Sequence, residues 1–358
     1  MPRLPPTLIR RAHSISPHLA TLLPVCRDIA SARNELRWIR EHVSVLSSSP
    51  ERLIGKLCRR RGKGAPLQYV LGSQPFGNRV IKCRPGVLIP RPETEAYVVH
   101  LAGLIRKQRI LGGSAVGGDQ TQLLRIVDFC TGSGCIALLL DSLLRPRFPE
   151  LRVYGFDISE RAVALARENL WGDAQRGSLP NANLEQGVVF EKADIFSDDW
   201  LSHLSETRNG QGGRVLIDVL ISNPPYISIA GFNHSTGRSV RNHEPKLALV
   251  PDGKVGASVA ASGCAPEDVF YARLFEIVEV VRPRVILMEV GDLEQALRVA
   301  EMASGAVESS AQGVIEIWRD WPDMTPEDDE VTEVDMRGTK VPIRGSGNGR
   351  SVLVRCRA

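Results

Sequence analysis

The chain of 358 residues has no apolar run that approaches the ~20 consecutive residues needed to cross a bilayer. Its seven cysteines are scattered without a CxxC pair, and its seven histidines lack paired metal-ligand spacing. The net charge of +4 is modest, and basic and acidic residues are interspersed. These absences exclude a membrane protein and a disulfide-stapled secreted domain. They predict a reducing compartment, no metal site and no nucleic acid as substrate.

The N-terminal segment is poor in acidic residues. No Asp or Glu precedes Asp28, whereas the first 27 residues contain four arginines and several hydroxyl side chains. This composition is typical of a mitochondrial transit peptide and lacks the single long apolar centre of a secretory signal. The alternative is that Ser16-Pro17 already begins the first helix of the folded domain. We expect residues 1–15 to act as a mitochondrial leader, with the matrix as the location and the cytoplasm as the alternative.

The length favours two domains, because single hydrophobic cores usually stop growing near ~250–300 residues. Apolar residues recur at three- and four-residue intervals from about 17 to 66, which predicts a small helical domain over 16–66. The alternating runs QYVLG and RVIKC flank a turn-rich segment and predict a β-hairpin linker over 67–92. The polar segments 112–122 and 171–187 are predicted to be solvent loops.

From 93 to 358 the chain alternates apolar strands with helical stretches, which is the rhythm of a doubly wound, Rossmann-like α/β sheet. The last two strands, VIEIWRD and SVLVRC, have no helix between them and should pair antiparallel. Such a terminal hairpin is typical of methyltransferase sheets and not of dinucleotide dehydrogenases. The acidic and glycine-rich residues 322–350 between these strands predict a long mobile insertion.

Three consecutive predicted strands end in groups that suit an adenosyl ligand. The first ends at Asp128 and runs through Thr131-Gly132-Ser133-Gly134 into a helix, a turn that lets the backbone approach a ligand. The second ends in Asp157, which can accept from both ribose hydroxyls. After the third, Asp194 can accept from an adenine amino group and Ile195 can cover the ring. NAD stays open, but Ala137 replaces the third glycine of its fingerprint, so a ligand without a pyrophosphate fits better.

The most specific motif follows the fourth predicted strand and reads Asn223-Pro224-Pro225-Tyr226. An amide nitrogen is a poor nucleophile because its lone pair is delocalised, so a catalyst must orient it and accept hydrogen bonds from its NH2 group. The Asn223 side-chain oxygen and the Pro224 carbonyl can each accept one such bond. The prolines keep these acceptors aimed, and Tyr226 offers a face for stacking. A simple loop of turn-forming residues is the alternative.

With these motifs, the chain resembles the HemK/PrmC family of protein-(glutamine-N(5)) methyltransferases, most closely its fungal mitochondrial members. The resemblance covers nearly the whole chain from about Ser16 and includes QYVLG, the run from Ile89 to Glu95, and Glu244-Pro245. It implies a class I S-adenosylmethionine methyltransferase fold and a helical domain that binds a class I peptide chain release factor. It also implies methylation of the glutamine in the Gly-Gly-Gln loop of that factor, in translation termination.

The resemblance also implies roles for individual residues. S-adenosylmethionine is expected to contact Asp128, Thr131, Gly132, Ser133, Gly134, Asp157, Asp194, Ile195 and Asn223. The glutamine is expected to contact Asn223, Pro224, Pro225 and Tyr226, with Arg91 at the substrate entrance. Of these, Asn223, Pro224 and Tyr226 are expected to be catalytic. Cys130 is a departure, because many relatives have glycine there, and the insertion exceeds the usual terminal loop.

Three other functions stay open. The same acceptor chemistry serves the amino group of adenine, so an adenine DNA or RNA methyltransferase is the first rival. The basic run from Arg59 to Lys63 could contact phosphate, although a solvated helix end explains it better. A ribosomal-protein glutamine methyltransferase would differ only in its partner. A degenerate methyltransferase that serves as a scaffold would not need the intact Asn223 and cofactor carboxylates.

Overall fold

The computed structural model describes residues 3–46, 50–111, 123–175, 187–207, 217–252, 263–307 and 314–356. The loop predicted at 112–122, and residues 176–186 of the one predicted at 171–187, lie outside this part of the chain. None of the described helices is both long and apolar enough to cross a bilayer. Within the same ranges, no group of three His, Cys, Asp or Glu side chains is arranged to hold a metal ion.

Four helices form the N-terminal region: α1 (Pro6–Ile15), α2 (Pro17–Cys26), α3 (Ile29–Leu46) and α4 (Pro50–Gly62). Each of α1, α2 and α4 begins with proline, whose missing N–H is not needed in a first helical turn. The Ser16 hydroxyl caps α2 by accepting from the His18 N–H at 3.2 Å. The apolar faces of the helices meet in a core of their own, which confirms the helical periodicity. The leader stays a prediction; within it, Ala12 of α1 is fully buried in this core.

The segment before the main sheet contains a short helix, α5 (Leu67–Leu71), and a hairpin of β1 (Ser73–Phe76) and β2 (Arg79–Lys82). A hairpin is therefore present, but the prediction that QYVLG forms its first strand is wrong. Gly72 accounts for the difference. Its φ of +77° is left-handed, which allows it to end α5, and its carbonyl accepts from the Cys83 N–H at 2.9 Å, just beyond β2.

The rest of the chain is built around a nine-stranded sheet. Its strands are β3 (Arg125–Phe129), β4 (Arg152–Asp157), β5 (Val188–Lys192), β6 (Val219–Ser222), β7 (Val285–Glu289), β8 (Val314–Trp321), β9 (Glu333–Met336), β10 (Thr339–Arg344) and β11 (Ser346–Arg355). They lie in the order β5-β4-β3-β6-β7-β11-β8-β10-β9. Neighbours from β5 to β7 are parallel, whereas β11 is antiparallel to β7 and to β8. The doubly wound sheet and its antiparallel terminal pair are confirmed.

Helices cover both faces of this sheet. They are α6 (Pro92–Arg106), α7 (Cys135–Leu144), α8 (Glu160–Gln175), α11 (Val269–Val281) and α12 (Leu293–Val307). Two short helices, α9 (Ile229–His234) and α10 (Arg238–His243), follow the turn after β6 and contain no buried residues. Successive residues of the central strands enter opposite cores, as Ile126 and Val127 of β3 do. The strand order reverses between β3 and β6, and such a switch point places a ligand crevice at the carboxyl ends of these strands.

Residues 322–350 are not a loop without structure of their own, and the prediction of a mobile insertion there is wrong. They contain β9 and β10, which form an antiparallel hairpin. This hairpin joins the main sheet beside β8, where Ile343 pairs in parallel with Ile317. Val341 and Ile343 of β10 are buried, so two apolar residues fix a segment whose overall composition is polar.

Candidate active site

One cleft brings the ends of the central strands together. It opens at the carboxyl ends of β3 to β6 and is bordered by residues 86–91, which follow β2. The predicted site residues that line it are Arg91, Thr131, Gly132, Ser133, Asp157, Asp194, Ile195, Asn223 and Pro225. The predicted site residues outside the described lining are Asp128, Gly134, Pro224 and Tyr226. The cleft therefore contains residues predicted for the cofactor and residues predicted for the methyl acceptor.

The glycine loop between β3 and α7 is fixed by its immediate neighbours. The Thr131 hydroxyl donates to the Asp128 carboxylate at 2.6 Å, and the Thr131 N–H donates to the Phe156 carbonyl at 3.0 Å. Asp128 is fully buried, and burial raises the pKa of its carboxyl to about 7. From this position Asp128 can shape the loop, but it is separated from the cleft that a ligand would enter.

Two glycines of this loop have different surroundings. Gly134 has a left-handed φ of +78°, and a Cβ there would lie 2.8 Å from the Phe190 ring and 3.0 Å from Ala166. It therefore lets α7 begin directly against its neighbours. Gly132 is also left-handed, but the nearest atom to a Cβ there would be the Cys130 carbonyl at 3.9 Å. Its open side faces the cleft, where a ligand could approach the backbone.

Asp157 lies at the end of β4, and its carboxylate holds two loops. One oxygen accepts from the Gly132 N–H at 2.9 Å and the other from the Ser159 N–H at 2.8 Å. Burial raises the pKa of this carboxyl, and the two backbone bonds oppose that rise. Each oxygen keeps a further lone pair. The carboxylate can therefore accept from adjacent ribose hydroxyls while it holds the glycine loop in place.

The wall after β5 combines one carboxylate with apolar side chains. The Asp194 carboxylate accepts from the Phe196 N–H at 3.0 Å. Ile195 is buried, and the Phe196 ring packs edge-on against Phe270 with centroids 5.0 Å apart. All four side chains line the cleft. A flat heteroaromatic ring with an exocyclic amino group would match such a surface.

The opposite wall of the cleft is the turn after β6. The Ser222 hydroxyl donates to the Phe129 carbonyl at 2.9 Å, which ties the start of the turn to β3. Asn223 and Pro225 line the cleft, whereas the Tyr226 hydroxyl donates to the Glu289 carboxylate at 3.0 Å. The stacking role of Tyr226 stays a prediction, because its hydroxyl already has a partner outside the cleft lining.

Several contacts on this side were not predictable from the sequence. Glu244 accepts from the Arg91 side chain at 2.7 Å and from the Ile89 N–H at 3.1 Å. The Thr94 hydroxyl donates to Glu289 at 2.6 Å. These partners are separated by 153, 155 and 195 residues. No spacing rule reaches across such intervals, so only the folded chain pairs them.

The charges of the cleft suit an adenosyl ligand better than a dinucleotide. Among the described lining residues the only cation is Arg91, and Glu244 lies 2.7 Å from it and neutralises its charge. A pyrophosphate would therefore find little positive side-chain charge there. Asp157 and Asp194 instead offer acceptors for ribose hydroxyls and for an amino group. The residues present fit S-adenosylmethionine.

A doubly wound sheet with an antiparallel terminal strand, and this cleft at its switch point, define a class I S-adenosylmethionine-dependent methyltransferase. The chain is 38% identical over 250 residues to the mitochondrial MRF1 N(5)-glutamine methyltransferase MTQ1 of Saccharomyces cerevisiae, with 70% of this chain and 68% of that protein covered. It is 34% identical over 209 residues to the release factor glutamine methyltransferase of Bacteroides thetaiotaomicron, with 58% and 60% covered. The chain therefore belongs to the N(5)-glutamine methyltransferase family.

Two further matches are more distant. The model of the Eco57I restriction-modification methylase family matches residues 152–248, which run from β4 past the turn that follows β6. The crystal structure of the N-terminal domain of human METTL16 aligns with 90% of this chain and 93% of its own, with a TM-score of 0.44 and 13% identity. Neither match changes the family assignment.

Proposed function

We propose that this chain transfers a methyl group from S-adenosylmethionine to the side-chain amide nitrogen of a glutamine. The acceptor is the glutamine of the Gly-Gly-Gln motif in a mitochondrial class I peptide chain release factor. One observation carries the proposal: Asn223 and Pro225 line the same cleft as Asp157 and Asp194. The groups suited to an amide and the groups suited to an adenosyl ligand therefore belong to one site. The family of the chain supports glutamine as the acceptor.

The cofactor side of the cleft has a binding role in this proposal. When bound, S-adenosylmethionine supplies an electrophilic methyl group on a sulfonium centre. Asp157 accepts from the ribose hydroxyls, and Asp194 accepts from the adenine amino group. Ile195 and Phe196 cover the faces of the adenine ring and exclude water from it. The backbone at Gly132 leaves room for the rest of the cofactor.

The acceptor turn orients the glutamine. The Asn223 side-chain oxygen and the Pro224 carbonyl each accept one hydrogen bond from the amide NH2, which fixes the nitrogen and increases its electron density. Pro224 and Pro225 are buried and have a fixed φ, so the two acceptors keep their direction. No strong base is needed, because the nitrogen becomes acidic only as the new C–N bond forms. Its proton can then leave to solvent.

The helical region is the proposed docking surface for the release factor. One exposed side of α4 carries Arg52, Lys56 and Arg59, and Lys63 follows just after the end of the helix; we call these four cations the α4 ridge. The end of this helix is tied to the acceptor side of the cleft, because the Ser239 hydroxyl of α10 donates to the Gly64 carbonyl at 3.0 Å. A partner with an acidic surface could rest on the ridge while its glutamine enters the cleft.

Reversal of charge on the ridge tests this docking. The triple variant Arg52→Glu, Lys56→Glu, Arg59→Glu should raise the KM for the release factor without lowering kcat. The KM of the unaltered chain should also rise with salt, because exposed charges are screened. Arg147→Glu, an exposed charge reversal after α7, is the matched control. An unchanged KM in the triple variant would place the docking surface elsewhere.

We also place the protein in the mitochondrial matrix. The arginine-rich and acid-free N-terminal segment supports this location, and the Saccharomyces cerevisiae relative is named as mitochondrial. Residues 1–27 fused to a fluorescent protein should direct it into mitochondria. A diffuse cytoplasmic signal would contradict the location while leaving the proposed reaction untouched.

An adenine amino group is the second candidate acceptor. The Eco57I restriction-modification methylase model matches residues 152–248, which include the turn after β6. The two acceptors at Asn223 and Pro224 would serve an exocyclic amine as well as an amide, because both are planar NH2 groups with a delocalised lone pair. The same assay can therefore decide between the two acceptors.

Transfer of labelled methyl groups by the full chain is the experiment. The acceptors are a mitochondrial class I release factor, the same factor with its Gly-Gly-Gln glutamine replaced by alanine, and adenine-containing DNA and RNA. Label on the intact factor alone, located by mass spectrometry on the glutamine side chain, would support the proposal. Label on nucleic acid alone would refute the substrate and favour adenine. Absence of label on every acceptor would refute both.

A further inference from the structure

Glu289 is a buried carboxylate that the steps above do not use. It is the last residue of β7, and 2% of it is exposed. Its neighbour Met288 pairs with Ser222 at the end of β6, so Glu289 stands beside the start of the acceptor turn. A buried carboxylate needs hydrogen-bond partners, because an unpaired charge in this environment is costly.

Each oxygen of Glu289 has a partner on a different segment of the site. The Tyr226 hydroxyl donates to Oε1 at 3.0 Å, and the Thr94 hydroxyl donates to Oε2 at 2.6 Å. Thr94 lies in the first turn of α6, shortly after Arg91, and lines the cleft. One side chain therefore joins the segment at the cleft entrance to the acceptor turn, and we call this pair of contacts the Glu289 bridge.

Tyr226 is held from more than one direction. The Gln295 side chain of α12 donates to the Tyr226 carbonyl at 3.2 Å. Gly291 has no side chain where a Cβ would lie 3.3 Å from the Tyr226 ring, so the ring packs directly on the backbone after β7. Together with the bond to Glu289, these contacts leave the tyrosine, and hence the end of the acceptor turn, little freedom to move.

The charge of Glu289 is essential to the bridge. Burial raises the pKa of Glu289, whereas the Thr94 hydroxyl and the nearby positive charge of Arg350 oppose that rise. Arg350 itself is fixed, since it donates to the Asp320 carboxylate at 2.7 Å. A carboxylate can accept from both hydroxyls, but a glutamine side chain has a single acceptor oxygen. A glutamine at this position would keep the shape, but one of the two hydroxyls would have to reverse and accept from its NH2 group, and both bonds would lose the charge of the carboxylate.

We propose that Glu289 is a positioning residue for methyl transfer, which holds the acceptor turn in register with the cleft entrance through Tyr226 and Thr94. The inference rests on the proposed function, because it concerns the placement of the methyl acceptor. Glu289 is outside the described cleft lining and acts through the two residues that it binds. Loss of this alignment should slow methyl transfer strongly, since a displacement of ~1 Å can lower a reaction rate about 100-fold.

Glu289→Gln in the full chain with S-adenosylmethionine bound is the first test. We expect kcat to fall about 10- to 100-fold, while the affinity for S-adenosylmethionine, measured by calorimetry, stays close to that of the unaltered chain. Tyr226→Phe breaks the same contact from its other end. The double variant should therefore be no slower than the slower single variant. Glu289→Asp keeps two acceptor oxygens and should recover part of the rate.

A matched control separates positioning from a general loss of buried charge. Glu316 on β8 is also buried and accepts from an arginine, Arg344, at 2.6 Å, but it is outside the described cleft lining. Glu316→Gln should lower stability and leave kcat unchanged. An unchanged kcat in Glu289→Gln would overturn the positioning role. A loss of cofactor affinity as large as the loss of kcat would overturn it as well.

Hydrogen exchange separates this inference from the proposed function. In the cofactor-bound protein, peptides that cover 93–98 and 223–228 should exchange faster in Glu289→Gln than in the unaltered chain or in Glu316→Gln. This expectation does not depend on the identity of the acceptor. Equal exchange would refute the bridge. Faster exchange in a protein that methylates no release factor would refute the substrate assignment and leave the bridge intact.

Discussion

The side-chain contacts of Asp157 and Asp194 on the cofactor side of the cleft span two to 25 residues, whereas those that hold the acceptor side join parts of the chain 63 to 195 residues apart. On the cofactor side, Asp157 accepts from Ser159 and Asp194 accepts from Phe196, each pair two residues apart. Asp157 also accepts from the Gly132 N–H across 25 residues. A change at Asp194 should therefore alter one binding contact, whereas a change at Asp157 should also loosen the glycine loop that it holds.

The acceptor side depends on contacts between separate segments. Tyr226 is bound to Glu289 across 63 residues, Thr94 reaches Glu289 across 195, and Arg91 reaches Glu244 across 153. The turn after β6 therefore has its shape only when β7, α6 and the entrance segment are all packed. This difference leads to two expectations. Mutations on the cofactor side should lower the affinity for S-adenosylmethionine by separate, independent amounts. Mutations on the acceptor side should lower the rate of methyl transfer and should not be additive, because these contacts depend on one another.

The largest effect should follow from loss of a direct contact to the acceptor. Asn223→Ala removes one of the two groups that orient the amide, and we expect kcat to fall by about 100- to 1,000-fold, the usual loss for one preorganised hydrogen bond. The affinity for S-adenosylmethionine should change much less. Single-turnover rates and calorimetry measure the two quantities, with Asn233→Ala on α9 as the control. If kcat and the affinity for S-adenosylmethionine fell by the same factor, Asn223 would act in cofactor binding and not in orienting the amide.

A smaller effect, on affinity, is expected from the cofactor side. Asp157→Asn replaces charge-assisted hydrogen bonds to the ribose by neutral ones, and hydrogen bonds to charged groups contribute about 1.5–3 kcal/mol. The dissociation constant for S-adenosylmethionine should rise about 10- to 100-fold. At saturating cofactor, kcat should stay near that of the unaltered chain. Asp199→Asn, an exposed acid outside the described lining, is the control. If Asp157→Asn lowered kcat without changing the affinity for S-adenosylmethionine, the idea that the cofactor side controls affinity and the acceptor side controls rate would be wrong.

The number of residues that separate the partners in each contact also explains how much of the site could be predicted from the sequence. A strand, a glycine turn and a carboxylate at a strand end occupy neighbouring residues, so the sequence displays them together. The positions of Asp157 and Asp194 at the edge of the cleft could be predicted in this way, and that of Asn223 because it directly follows β6; their roles in binding stay predictions. The burial of Asp128 could not be predicted, because the sequence shows its place in a strand but not what covers it. Glu289 carried no signal, since its partners lie in other segments.

The fold shows the same limit. The alternation of strands and helices from β3 to β7 was predictable because each element is apolar along its own length. The acidic residues and glycines of 322–350 predict a mobile insertion, and that prediction is wrong. Their strand β10 is fixed by Val341 and Ile343 against β8, a contact that exists only at the edge of an assembled sheet. The composition of this segment therefore indicates correctly that it is polar, but it does not reveal that the segment forms two strands of the sheet.

Stability should depend on pH through Asp128, a local contact of the cofactor side. Burial raises the pKa of its carboxyl from the usual 3.8 to about 7 in the folded chain, so the folded state binds the proton more tightly. This contribution to stability is complete below about pH 4 and is lost as the pH rises through about 7. In Asp128→Asn, the decrease in the free energy of unfolding between pH 5 and pH 8 should be smaller than in the unaltered chain. Urea unfolding at the two pH values measures it, and an identical decrease would contradict the burial argument.

The smallest effect is expected at Cys130, which has a left-handed φ of +60° in the glycine loop. A side chain in this conformation costs about 1–2 kcal/mol, but glycine costs about 0.5–1 kcal/mol in unfolded-state entropy, and the contacts of the half-buried thiol would be lost. Cys130→Gly should therefore raise the free energy of unfolding by less than about 1 kcal/mol. Cys130→Val should lower it, because a β-branched residue tolerates this conformation least. Urea unfolding ranks the three proteins. A valine variant as stable as the cysteine protein would mean that the loop relaxes freely, and that even the local contacts of the cofactor side do not fix its backbone.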